Sequence, residues 1–341
     1  MLKSLSAAVA IATVATSGLL FAPVSNQSHN TSSLSNGPTL SALKVDIAKS
    51  VTSSKTPNLS TSIPPVTSFT GTNTPVLESN FPWACQPASA TATIPPNAST
   101  TCAFGDTSSK TIVLLTGDSQ SETWLAALNV AGMRLHFKVV YLDEPGCAPW
   151  GNPNPSNFLI YATVTVAACN VWRRSIETYA KRLKPKFVIL DGRAYPIGHN
   201  IDKEANATDF NARLLASVKA FRATGAKVLI PSPLPSYNEF RVVPGYTPGN
   251  CLTSVRPITK CEYPPTGLID PIALKGEESM VHKHLATLVT ITPLMCTKSK
   301  CALFVNASDG SHLVFWDRDH LNTYYSTWIG RAFAAIIKPA L

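Results

Sequence analysis

Two short segments far apart in the chain carry the residue types of nucleophilic catalysis. One is Gly117-Asp118-Ser119, directly after the apolar run Thr111-Ile-Val-Leu-Leu115; the other is Asp317-Arg318-Asp319-His320 near the C-terminus. A serine hydroxyl is a poor nucleophile until an imidazole takes its proton, and the imidazole in turn needs a carboxylate to fix its tautomer. Asp317 and His320 supply that pair at i and i+3, a spacing that shares one face of a helical turn, whereas Asp319 is expected to point elsewhere. The pattern therefore assigns Ser119 as nucleophile, His320 as base and Asp317 as the acid that orients the ring. Such a mechanism needs no metal and no organic cofactor. Competing readings are a helix cap for Ser119 and a structural hydrogen-bonded pair for Asp317 and His320. Asp118 as a phosphatase-type nucleophile lacks the Asp-x-Asp and lysine motifs that would go with it. His282 and His284, at i and i+2 of a helix, do not face one another and read as solvated rather than metal-binding. Trp124, Trp316 and Trp328 read as core or pocket wall more readily than as sugar platforms.

These groups need a scaffold, and after Cys102 short apolar runs alternate with helical stretches. Strands are expected over residues 111–116, 137–142, 187–190, 227–230 and 302–305, and helices over 122–134, 166–183, 209–224, 275–288 and 323–337. Strand alternating with helix implies an α/β fold: a three-layer α/β/α sandwich around a central parallel sheet of about five strands. In such sheets working groups gather beyond the C-terminal ends of strands. Ser119 falls there, and His320 lies between the last expected strand and the last helix.

At 341 residues and 45% hydrophobic the chain can bury a sizeable core, which excludes disorder throughout. Met1-Leu-Lys3, the small apolar residues that follow and Leu19-Leu-Phe21 form either a cleaved signal peptide or an N-terminal anchor over residues 1–24. Residues 25–80, rich in Ser, Thr, Asn and Pro, read as a disordered linker in which Leu40 to Val51 is at most a transient helix. The folded domain is placed at 81–341. Eight cysteines suit an exported protein, and their spacing suggests the local clips Cys85 with Cys102, Cys147 with Cys169, Cys251 with Cys261, and Cys296 with Cys301; the spacing alone leaves other pairings open. A net charge of +9 is spread over scattered Lys and Arg in a chain only 14% charged. That excludes the basic stripe of a nucleic-acid binder and leaves general solubility or adhesion to polyanionic envelope polymers. A monomer is expected, secreted or held in the cell envelope.

The residues resemble those of the SGNH or GDSL-like hydrolases. Thr116-Gly-Asp-Ser-Gln-Ser121 matches the nucleophile block and Asp317-Arg-Asp-His-Leu321 the block of acid and base. Val113 to Leu125, the Asp309-Gly-Ser-His-Leu313 lead-in and Cys296 to Cys301 look more narrowly like the SGNH domain of membrane O-acyltransferases that modify bacterial surface polysaccharides. That resemblance implies a flavodoxin-like sandwich and an oxyanion hole. The family's glycine block and its Gly-x-Asn-Asp block are both missing in recognisable form, so the candidate donors are the Ser119 amide, Gly146 and Arg193. The expected activity is that of a serine esterase or O-acyltransferase on O-acyl, chiefly O-acetyl, groups of cell-surface glycans; a lipid ester is the less favoured choice. The competing class is a glycan-binding domain that keeps the fold with little catalysis.

Overall fold

The computed structural model describes residues 37–63, 85, 94–151, 159–161, 164–193, 204–237, 251, 258–315 and 317–341. The expected signal or anchor segment and Trp316 lie outside these residues. At the centre is a six-stranded sheet: β1 (Ala103–Gly105), β2 (Ile112–Gly117), β3 (Lys138–Tyr141), β4 (Phe187–Asp191), β5 (Lys227–Pro231) and β6 (Thr287–Val289), in the order β1-β3-β2-β4-β5-β6. Five strands run parallel and β1 closes one edge antiparallel to β3. β2 and β4 read Ile-Val-Leu-Leu-Thr-Gly and Phe-Val-Ile-Leu-Asp and are buried almost throughout, as strands covered on both faces must be. The strand order reverses direction at β2, which has β3 on one side and β4 on the other. In a doubly wound sheet this reversal opens a crevice beyond the strand ends.

Two helical layers cover the sheet. On one side α2 (Ser119–Thr123) leads into α3 (Leu125–Leu135), and α7 (Thr323–Trp328) and α8 (Gly330–Ile337) pack against α3. α8 comes so close that a Cβ on Gly330 would fall 2.5 Å from the Val130 Cβ. The Trp124 ring stacks on Phe333 with centroids 5.3 Å apart. The other layer holds α4 (Val166–Leu183), α5 (Glu204–Arg222) and α6 (Pro271–His282). α5 buries Phe210, Leu214, Val218 and Phe221 at helical spacing. No helix among the described residues is long and apolar enough to cross a membrane.

Two differences from the sequence pattern have local causes. The helix expected over 275–288 stops at His282, because His284 takes a left-handed conformation (φ 55°) that an α-helix cannot continue. Thr287–Val289 then becomes the fifth parallel strand. The apolar run at 302–305 instead enters a separate antiparallel pair, β7 (Phe304–Ala307) with β8 (Gly310–Leu313), in which Phe304 opposes Leu313. The four disulfides join the pairs expected from spacing.

The reading of residues 25–80 as one disordered linker is corrected for residues 37–63. α1 (Leu40–Thr52) is capped by Thr39 and buries Leu43, Ile47 and Val51, one stripe at four-residue spacing. It packs on α8 and β7, and Ser50 Oγ accepts from the Asn306 amide at 2.8 Å. Farther along, Ile63 bonds to both sides of His312: its amide donates to Ser311 O (2.8 Å) and its carbonyl accepts from Leu313 N (2.9 Å). Polar composition averaged over the tract hid a local apolar stripe with a partner surface. The rest of the tract lies outside the described residues. We expect Ile47→Ala to cost about 2–5 kcal/mol, and a chain beginning at Asn80 to melt well below one beginning at Gly37. Equal melting temperatures in scanning calorimetry would show that 37–63 is a tether after all.

Candidate active site

The site starts at the end of β2. Gly117 is in register with Asp191 of β4, and a Cβ there would fall 1.7 Å from the Asp191 carbonyl oxygen, so only glycine fits. The strand stops at Asp118, which caps α2: its Oδ1 accepts from Gln120 N at 2.9 Å. Asp118, not Ser119, is thus the cap. Ser119 occupies the first helical position, where the helix offers its amide no acceptor and directs its dipole toward developing negative charge.

The second segment arrives from β8. An antiparallel bridge between Phe315 and Leu321 pinches off the loop that carries Asp317 to His320. Within it Asp317 Oδ1 accepts from the amides of Asp319 (2.8 Å) and His320 (2.7 Å), which folds the loop back on itself. Asp317 Oδ2 lies 2.7 Å from His320 Nδ1, and His320 Nε2 lies 2.9 Å from Ser119 Oγ. With carboxylate oxygens facing Nδ1, that nitrogen carries the proton and Nε2 is left to accept from the serine hydroxyl. Gln120 reaches from α2 to the same loop, its Nε2 donating to the Asp319 carbonyl at 3.0 Å.

Ser119, His320 and Asp317 are therefore brought into one hydrogen-bonded line. Asp319 departs from its expected placement: its Oδ1 is 3.2 Å from His320 Nδ1. The loop is an irregular turn and not a helix, so the rule that separates i+2 from i+3 on a helical face does not apply to it. Arg193, just beyond β4, also reaches the site, where its guanidinium forms an ion pair with Asp319 Oδ2. Its own backbone is fixed at both ends, the amide donating to Asp118 Oδ2 (2.9 Å) and the carbonyl accepting from Trp150 Nε1 (2.8 Å). Gly146 sits in a left-handed turn (φ 78°) beside β2, in a loop whose Glu144 amide donates to the Gly117 carbonyl at 3.1 Å. The ligand atoms of Asp317, Asp319 and His320 lie within 4.8 Å of one another, the one such group among the described residues. These same atoms serve the hydrogen bonds to Ser119, Arg193 and the loop amides, so the group reads as a relay. His282 and His284 are exposed. Trp124 is core, and Trp328 stacks on His312 at 3.8 Å between centroids.

The buried carboxyls of Asp118 and Asp191, at the ends of β2 and β4, are held toward their neutral forms. Burial pushes Asp118 up against the opposing effect of the Arg193 and Gln120 amides, and it pushes Asp191 well up, with repulsion from Asp118 adding to it. Burial also raises Glu144 to about 8 and Glu262 to about 7.

The family model for the SGNH domain (fused to AT3 domains) matches residues 84–335. The periplasmic domain of a lipopolysaccharide acetyltransferase from Salmonella ser. Paratyphi A superposes with a TM-score of 0.51 at 13% identity, over 75% of this chain and 90% of that one. A GDSL-like lipase from Bacteroides thetaiotaomicron VPI-5482 gives a TM-score of 0.37 at 13% identity, over 68% of this chain and 89% of that one. The acetyl xylan esterase AlAXEase gives 0.36 at 11% identity, over 66% and 99%. No curated protein matches the chain at a significant level.

The raised acids set a pH dependence for stability. Glu144 and Glu262 hold protons in the folded state up to about 8 and about 7, above the ordinary value of 4.5. Their contribution is complete below about 4.5 and is lost as pH rises through 7 to 8, because the unfolded chain releases those protons first. Denaturant unfolding at pH 5 to 9 should show stability falling with pH, and Glu144→Gln should flatten that fall. An unchanged slope in Glu144→Gln would contradict the assignment.

Proposed function

The chain belongs to the family of SGNH domains fused to AT3 domains, and from that membership we propose an extracytoplasmic serine enzyme acting on O-acyl groups of cell-surface glycans through an acyl-enzyme on Ser119. The observation that carries this reading is the unbroken line from Ser119 Oγ through the His320 ring to Asp317, at 2.9 and 2.7 Å. Ser119 Oγ gives its proton to His320 Nε2 as it attacks the acyl carbonyl, and Asp317 stabilises the imidazolium that forms. The negative charge moves to the carbonyl oxygen, beside the Ser119 amide at the start of α2; Gly146 and Arg193 stand as further oxyanion candidates. Collapse expels the glycan alkoxide, which takes the proton from His320 and leaves the acyl group on Ser119. The second half repeats these steps with a new nucleophile: water gives hydrolysis and a sugar hydroxyl gives transfer. O-acetyl is the acyl group we favour. Four disulfides support an oxidising compartment outside the cytoplasm.

Turnover of p-nitrophenyl acetate tests the assignment. Ser119→Ala and His320→Ala should each lower kcat by about a thousandfold or more, and the double variant should be hardly worse, because the two act as one unit. Asp317→Asn should retain more activity than either, since Asp319 Oδ1 also faces Nδ1. Additive losses, or activity that survives Ser119→Ala, would overturn the reading.

A further inference from the structure

Asp319 is a nearly fully buried carboxylate, its side chain 4% exposed, and it lies between two groups of opposite character. One oxygen pairs with the Arg193 guanidinium and the other is 3.2 Å from His320 Nδ1. A buried charge is costly unless it is paired, and its partner here comes from the end of β4, across the crevice. Both partners are also fastened through their backbones. The Arg193 amide donates to Asp118, the cap of the nucleophile helix, while Asp319 donates its amide to Asp317 and accepts from Gln120 with its carbonyl. The pair therefore links the element that holds Ser119 to the loop that holds His320.

The charges around His320 explain why a guanidinium is placed there. Asp317 and Asp319 face Nδ1 from its own loop, Ser119 meets Nε2 from α2, buried Asp118 at the end of β2 is within electrostatic range, and Arg193 stands behind Asp319 beyond β4. Two carboxylates beside Nδ1 both favour the imidazolium, and a positive charge held against one of them opposes that effect. Resting on the reading of Ser119 and His320 as nucleophile and base, we propose that Arg193 and Asp319 are a positioning pair that sets the charge state of His320: Asp319 orients the imidazole together with Asp317, and Arg193 cancels the charge that this second carboxylate brings. The prediction is directional. Arg193→Gln removes a positive charge beside Asp319, so the imidazole holds its proton to higher pH; Asp319→Asn removes a negative charge beside Nδ1, so it loses the proton at lower pH.

The experiment follows His320 directly, in protein labelled with carbon-13 at histidine Cε1 and titrated from pH 4 to 9 by NMR, with the resonance assigned through His320→Gln. The midpoint should rise by about one pH unit in Arg193→Gln and fall by a similar amount in Asp319→Asn, and the double variant should return close to the parent. The acid limb of kcat/KM for p-nitrophenyl acetate should move in the same directions. Midpoints that stay put, or that move the same way in both single variants, would overturn the proposal. If Arg193→Gln fails to fold, Asp319→Asn and the double variant still decide: a midpoint unchanged or raised by Asp319→Asn contradicts the pair. The titration is independent of turnover. Midpoints that shift as stated in a protein without Ser119-dependent activity would support the pair and remove the esterase reading; Ser119-dependent activity with fixed midpoints would do the reverse.

Discussion

The Asp118 carboxylate stands where three segments have to meet. One oxygen takes the Gln120 amide and so starts α2; the other takes the Arg193 amide and so fastens the chain leaving β4. This is possible only because Gly117 lets β2 and β4 approach until the Asp191 carbonyl fills the space of a side chain. Burial makes the carboxyl expensive to ionise, and the two amides it accepts offset part of that cost. One half of the site follows from this junction: Ser119 at the first helical position, Gln120 reaching the His320 loop, and Arg193 placed to meet Asp319.

The other half of the site depends on support from outside the sheet. β8 delivers the loop of Asp317 to His320, and it is held by β7 on one side and by Ile63 on the other. α1 in turn packs on β7 and α8. The N-terminal arm therefore helps to hold the hairpin from which the His320 loop departs.

That Ser119, His320 and Asp317 meet in one hydrogen-bonded line is legible from the sequence, because serine after a strand end and Asp-x-x-His before a helix are local patterns. The parallel core was legible for the same reason: strands buried on both faces read as unbroken apolar runs. The remainder depends on loop geometry, on a very short strand and on partners distant in sequence. The helical rule points Asp319 away from the ring, yet its loop folds around the Asp317 carboxylate and turns both acids toward Nδ1. Arg193 was placed near the site, but its pairing with Asp319 spans residues that no local pattern connects. The helix expected over 275–288 takes in the first two residues of the strand Thr287–Val289, because a three-residue strand leaves almost no period to detect. The α1 stripe at Leu43, Ile47 and Val51 was visible, but the surface it covers was not.

Acylation of Ser119 itself tests the central claim most directly. The protein would be incubated with p-nitrophenyl acetate, quenched in acid and weighed intact, and the modified peptide would then be sequenced by tandem mass spectrometry. The account predicts one added acetyl group, located on Ser119, present in the parent chain and absent from Ser119→Ala. Turnover without any adduct under conditions that trap acyl-enzymes, or an adduct on another residue that persists in Ser119→Ala, would contradict it.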